Sequence, residues 1–228
     1  MLDIITINKN NKEGLEDTIK SVVNQTLFDK VNFIIIDGNS TDGSKEIIEK
    51  YKDKLFHYVS EQDEGIYNAM NKGIRASVSP YLLFLNSGDH LRENNILEKV
   101  FPYLDGTDVV YGNEWKVNDK YKNYKAYEAK YPDKLDESFF RRTSLPHQSS
   151  FIKRELLDKG YDEDFKIISD WKLFIEAFRN GKMFKHMPFM VSVYDCSGFS
   201  FQHLRLMEHE KNEFYNTCAH AQKKKETE

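Results

Sequence analysis

Cysteine is almost absent. Cys196 and Cys218 are the two in 228 residues, and no CxxC pair occurs. That argues against a disulfide framework or a zinc finger and fits a reducing compartment. No apolar run approaches the ~20 residues needed to span a bilayer. The chain opens directly on LDIITI, without the basic segment and cleavage site of a secretory signal. A cytoplasmic protein is expected, with peripheral association at the inner membrane face left open. A basic excess is also missing: 33 Lys and Arg stand against 37 Asp and Glu, and the net charge is −4. No bulk positive field draws such a chain to nucleic acid. Three motifs are absent as well. There is no GxxxxGK[ST], no GxGxxG after the first apolar segment and no GxSxG, which disfavours P-loop enzymes, dehydrogenases and hydrolases with a nucleophile elbow.

What is present begins with VNFIIIDGNSTDG at residues 31–43. The apolar run Phe33 to Ile36 predicts a strand buried on both faces of a parallel sheet. It ends on Asp37, and open α/β sheets bind ligands at the carboxyl ends of their strands. The first half repeats this βα order. Strands are predicted at Leu2 to Ile7, Val31 to Ile36, Leu55 to Val59 and over YLLFL after Pro80. Helices are predicted from a cap at Asn11, from about Asp42, and over Ile66 to Ala76. This predicts an α/β fold with a doubly wound, mostly parallel central sheet flanked by helices.

The second half is less regular. A strand is predicted at Asp108 to Tyr111, a hairpin within 113–135, and a helix capped by Ser169 with Trp171, Phe174, Ile175 and Phe178 inward. Short strands near 183–187 and 190–194 and a terminal helix from Leu204 to Ala221 follow. We expect one domain over residues 1–228: a nucleotide-binding half to residue 112, a smaller mixed acceptor-side region over 113–200, and a helix with a charged KKKETE tail. Most of the 13 Tyr and 16 Phe belong to cores, though some can line a sugar or base pocket.

Three strand ends converge if the sheet is parallel: TINKN, DGNSTDGS and LNSGD. Asp37 can accept hydrogen bonds from a base or ribose. Ser87 and Gly88 let backbone approach a phosphate, and Asp89 can hold Mg²⁺ or Mn²⁺, which use one or two carboxylates plus substrate phosphates. Either aspartate alone is more simply an ordinary turn former, two at adjacent strand ends bring the ligand reading level with it, and Asp42 is most simply a helix cap.

The set TINKN, IIIDGNSTDGS, SEQDEGIYNAMNKGI and YLLFLNSGD resembles the family 2 glycosyltransferases. PHQSSFIKREL, SDWKLFIEAFRNG and CSGFS extend the match toward residue 200. DEGIYNAMNKGI is its most specific piece and is similar to the branch that builds bacterial surface polysaccharides. The resemblance implies a GT-A fold and an inverting transfer from a nucleotide-diphosphate sugar to a saccharide or lipid-linked acceptor. It places nucleotide-facing residues at Thr6, Asn8, Asp37, Asp63, Asn71 and Arg75, with Asn86, Ser87, Gly88 and His147 beside the donor. The family's metal motif falls on Asn86-Ser87-Gly88-Asp89, where only Asp89 is acidic and would be the metal carboxylate. Its acid–aspartate pair falls on Ser169-Asp170, which implies Asp170 as general base. A carboxylate in a helix's first turn is also favoured by the macrodipole alone. Trp171 can bury that base, stack on a sugar ring or serve only the core. A non-catalytic nucleotide- or glycan-binding module is the alternative, motivated by the acids missing at Asn86 and Ser169. A nucleotidyltransferase ranks third, for want of a glycine-rich basic signature after the first strand.

Overall fold

The computed structural model describes residues 1–118 and 125–226, with side chains as far as residue 217. The middle of the expected hairpin, the Cys218 side chain and the end of the KKKETE tail fall outside the described part. The first half alternates as expected: β1 (Leu2–Asn8), α1 (Lys12–Val23), β2 (Val31–Asp37), α2 (Ser44–Tyr51), β3 (His57–Ser60), α3 (Ile66–Ala76) and β4 (Tyr81–Phe84). There follow β5 (His90–Leu91), α4 (Ile96–Val100), β6 (Val109–Val117), β7 (Tyr127–Ala129), α5 (Glu137–Arg142), β8 (Ser150–Lys153), α6 (Ser169–Arg179), β9 (Phe184–Asp195), α7 (Phe199–Gln202) and α8 (Leu204–Glu226).

Among the described residues these strands form one sheet in the order β3-β2-β1-β4-β8-β6-β9-β5, with β7 on β6. β3, β2, β1 and β4 are mutually parallel. Successive strands run outward from β1 to β3, and the chain then returns to the other side of β1. The switch point of this doubly wound half therefore lies between β1 and β4, where α/β sheets open a crevice. β8 joins β4 and β6 antiparallel, and β9 returns parallel to β6.

Alternation along β2 explains the layers. Ile34 and Ile36 pack with Ile5, Phe84, Met70, Trp171 and Phe214 on the face covered by α3, α6 and α8. Phe33 and Ile35 pack with Leu2, Ile4, Leu15, Ile19 and Ile47 under α1 and α2. Successive strand side chains point to opposite faces, so a continuous apolar run feeds two cores at once.

Besides the short β5, α4, α5 and α7, which were not expected, three features depart from the sequence reading. β8, which bridges the two halves of the sheet, was not foreseen; its segment SFIK is too short to show a period. The two short strands expected near 183–187 and 190–194 are one strand, β9. Pairing skips from Gly112↔Met187 to Asn113↔Met190, so Pro188, which has no N–H to give, sits in a bulge. Ser169 does not cap α6: it lies inside the helix, its Oγ is buried without a partner, and Ile168 is the cap residue with no side-chain bond.

Candidate active site

The register sets Asn8 beside Asp37 and Asp37 beside Ser60 at the carboxyl ends of β1, β2 and β3. Asp37 is fully buried. Its carboxylate accepts from Asn8 Nδ2 (2.8 Å), Ser40 Oγ (2.5 Å), Ser40 N (2.9 Å) and Ser60 Oγ (2.5 Å). Burial pushes the carboxyl up, but these bonds outweigh it and hold it below its ordinary value. Asp37 thus ties three strand tips together. Thr6, also fully buried, donates to the Leu85 carbonyl (2.7 Å) and joins β1 to β4. Asn8 keeps a buried Oδ1 without a partner. Asp63 pairs with Lys72 (2.7 Å) and closes against Gly38, where an added Cβ would lie 2.7 Å from its Oδ2.

The tip after β4 is held by α1. Asn11 caps that helix as expected, accepting from Gly14 N, and donates to the Ser87 carbonyl (3.0 Å). Thr18 Oγ1 accepts from Gly88 N (3.0 Å) and donates to the Asp89 carbonyl (2.7 Å). Gly88 adopts φ +103°, a left-handed conformation that favours glycine. Asp89 is 4% exposed, and its Oδ1 accepts from Asp195 N (3.0 Å) at the end of β9. Burial pushes the Asp89 carboxyl up to about 8; nearby Glu114 and Asp195 add to the rise, and His147 opposes it.

From this tip a chain of contacts leads to α6. Asn86 Nδ2 lies 3.1 Å from His147 Nε2, and His147 Nδ1 lies 2.9 Å from Asp170 Oδ2. Asp170 Oδ1 accepts from the Tyr67 hydroxyl (2.8 Å) and from Trp171 N (2.9 Å). Burial pushes the Asp170 carboxyl up, but the hydrogen bond and charge of His147, with Tyr67 and the Trp171 amide, lower it overall. Burial pushes the His147 imidazole down, but Asp170, backed by the charges of Asp89 and Glu114, raises it overall. Asn86 Oδ1 is buried without a partner. Turning that amide by half a rotation pairs Oδ1 with a protonated Nε2, the state the raised imidazole favours.

Asn86, Ser87, Gly88, Asp89, His147 and Asp170 are therefore contiguous, and Thr6, Asn8 and Asp37 border them at the switch point. Two residues are not brought there. Asn71 is buried and spent on residues 161–163, donating to the Tyr161 carbonyl (2.9 Å) and Glu163 (2.7 Å) and accepting from Tyr161 N (2.7 Å). Arg75 is exposed in the last turn of α3. That helix runs back from the strand tips, and at 1.5 Å per residue its end lies about 14 Å away. Trp171 is 2% exposed and donates through its indole N–H to the Phe140 carbonyl (2.8 Å), which gives it to the core.

Sequence inspection missed Tyr67, Asp195 and the buried Glu114, which accepts from Tyr131 (2.7 Å) and Gln148 and pairs with Lys116 (3.1 Å). Asp195 had a signal, an acid at the end of a predicted strand beside CSGFS. Its carboxylate accepts from Ser197 N (2.8 Å) and Oγ (2.7 Å). Among the described residues no three His, Cys, Asp or Glu side chains gather to hold a cation by themselves. Asp89 and Asp195 nonetheless supply two neighbouring carboxylates, which suits Mg²⁺ or Mn²⁺ completed by phosphate oxygens. No helix among the described residues is long and apolar enough to cross a membrane.

This sheet order, with its polar switch point and acid-bearing second half, is that of the GT-A glycosyltransferases. The chain matches the model of glycosyl transferase family 2 over residues 3–161 and belongs to that family. It is 30% identical over 179 residues to an uncharacterised glycosyltransferase of Mycobacterium tuberculosis, covering 77% of this chain and 68% of that one. It is 27% identical over 207 residues to a PGL/p-HBAD biosynthesis glycosyltransferase of Mycobacterium bovis, covering 87% and 78%. Staphylococcus aureus TarS 1-349 with UDP-GlcNAc superposes with a TM-score of 0.71 at 17% identity, over 89% of this chain and 60% of that one. The mannosyltransferase PcManGT of Pyrobaculum calidifontis, with GDP-Man and Mn²⁺, superposes at 0.67 and 15% identity, over 90% and 59%. This chain thus spans only about three fifths of either solved structure.

Proposed function

We propose that the chain is an inverting glycosyltransferase, working as one domain, that moves a sugar from a nucleotide diphosphate to a hydroxyl of a saccharide or lipid-linked acceptor at the cytoplasmic membrane face. The observation that carries this reading is the contact chain Asn86–His147–Asp170, which sets a carboxylate across from the tip that carries Asp89. The TarS and PcManGT structures, which hold UDP-GlcNAc and GDP-Man, support a nucleotide-sugar donor. The relative of PGL/p-HBAD biosynthesis supports an acceptor of glycolipid type.

In this reading the donor lies across the switch point, its base toward Asn8 and Asp37 and its diphosphate toward Ser87, Gly88 and Asp89. Asp89 and Asp195 would hold a divalent cation, which would supply electrostatic stabilisation to the departing diphosphate. Asp170 takes the proton of the acceptor hydroxyl. The hydroxyl oxygen forms the new bond to the anomeric carbon, and the old carbon–oxygen bond breaks with its electron pair on the diphosphate. Asp170 is ionised at neutral pH and locked by three bonds, so it is preorganised as an acceptor of a proton. His147 holds the Asp170 carboxylate and, when protonated, places positive charge beside the tip where negative charge develops. The non-catalytic alternative rested on the missing acids; Asp195 restores a second carboxylate at the tip.

The test has two stages. A thermal-shift screen against UDP-, dTDP-, GDP- and CMP-sugars with Mn²⁺ identifies the donor, because ligand binding raises apparent stability by mass action. Turnover of that donor is then compared in wild type and Asp170→Asn. Loss of turnover with donor binding kept supports the assignment; unimpaired turnover in the variant removes Asp170 as base.

A further inference from the structure

α6 begins without a local cap, although Ser169 is at hand. Three amides of the turn that leads into it, the last that of the cap residue Ile168, go instead to a residue more than forty positions away. Glu210 of α8 is 5% exposed. Its Oε1 accepts from Lys166 N (2.7 Å), and its Oε2 accepts from Ile167 N (3.0 Å) and Ile168 N (3.3 Å). Among the described residues it makes no ion pair, so its charge is balanced by these amides and by the positive end of the α6 dipole. The same turn is gripped from its other side. The Tyr67 hydroxyl shares its single proton between the Ile167 carbonyl (2.6 Å) and Asp170 Oδ1 (2.8 Å). Farther along α8, Phe214 stands edge-on to Trp171 at 5.1 Å between ring centroids. The peptide unit that joins Ile167 to Ile168 is thus fixed at its carbonyl by α3 and at its N–H by α8, just before Asp170 begins its own contacts.

From this arrangement we infer that Glu210 is a positioning residue for transfer: docking of α8 sets the turn that aims Asp170. The inference rests on the reading of Asp170 as base. An ordinary cap would hold α6 together wherever the helix sat. A carboxylate on another helix also fixes where the helix begins relative to α3 and the strand tips. Loss of that grip lets the 166–168 turn slip while the switch point, built from β1, β2 and β4, stays intact. Chemistry then suffers and donor binding does not.

The experiment uses the full chain with Glu210→Ala, Glu210→Gln and Asp170→Asn, and the donor that the Mn²⁺ thermal-shift screen identifies. Glu210→Ala is expected to lower kcat about 10- to 100-fold, the scale of a catalytic group displaced by around an ångström. Donor KM should stay within about twofold. Glu210→Gln, which retains one acceptor oxygen but no charge, should fall between Glu210→Ala and wild type. Wild-type kcat in both variants overturns the inference, as does a parallel loss of kcat and donor affinity. If Glu210→Ala does not fold, Glu210→Gln decides by the same criteria. Asp170→Asn separates the two failures: its retained turnover sinks the base assignment itself, whereas a dead Asp170→Asn beside unaffected Glu210 variants sinks only the role of α8.

Discussion

The parallel half and the mixed half treat their buried carboxylates in opposite ways. Asp37, at the tip of β2, has four neutral donors on its two oxygens and is held below its ordinary pKa. Asp89, where the parallel half meets β9, receives a single backbone N–H and is driven up to about 8. Asp170, in the mixed half, has a titratable partner in His147. Satisfied hydrogen bonds make a group part of the scaffold; an unsatisfied or proton-sharing carboxylate is left with something to do. The β2 tip is therefore fully bonded, and the carboxylates with a sparse or titratable partner set lie where the two halves touch.

The strongest way to break this comparison is at the two aspartates that differ most in partner. Asp170→Asn should lower kcat about 10²- to 10⁴-fold, the usual contribution of a positioned general base, with donor affinity unchanged in calorimetry. An effect of that size on binding instead would erase the distinction between the halves. Asp89 comes next. Its folded pKa, about 8, lies above its ordinary 3.8. Its contribution to folding is thus fully present below 3.8 and is lost as pH rises through 8. A cation binds the ionised form, so Mn²⁺-dependent affinity for a nucleoside diphosphate should fall about tenfold per pH unit below 8 and level off above it. Calorimetry from pH 6 to 9 checks this, and Asp89→Asn should flatten the profile.

Asp37→Asn tests the scaffold. It removes a charged acceptor from a buried network and should cost about 2–3 kcal/mol of stability, seen in denaturant unfolding. Because its folded pKa is depressed, the wild-type contribution should persist above the ordinary value of 3.8 and fade as pH falls below it. The smallest effect is expected at Gly73 in α3, where an added Cβ would lie 2.4 Å from Ile5 Cγ2 in the core. Alanine gains about 1 kcal/mol of helix propensity against an overpacking cost of about 1–3 kcal/mol. A net loss of about 1 kcal/mol in thermal or denaturant unfolding would show that the interface of α3 with β1 is as tightly packed as the core.

Legibility followed the period of the pattern. α3 was readable to its last residue because GIYNAMNKGI carries one apolar stripe between a glycine and a serine. β2 was readable because only a strand buried on both faces tolerates FIII ending in an acid. β8 was not, since four residues show no period and its place between β4 and β6 depends on partners far along the chain. Likewise Arg75 and Asn71 share a helix with Tyr67, yet only Tyr67 reaches Asp170: the spacing was visible, but the direction in which α3 runs from the strand tips was not.

By itself the amino-acid order determined which segments become strands and helices in the first half, which family the chain resembles, and that Asp37, Asp89 and Asp170 stand at element ends. Those properties are local, set by periodicity, turn chemistry and residue type within a dozen positions. Only the folded molecule decided that Asp37 is saturated, that Asp195 completes the tip at Asp89, and that Glu210 holds the turn before Asp170. Each of these joins groups tens of residues apart, and the free energy of such contacts depends on burial and geometry that no short stretch of sequence contains.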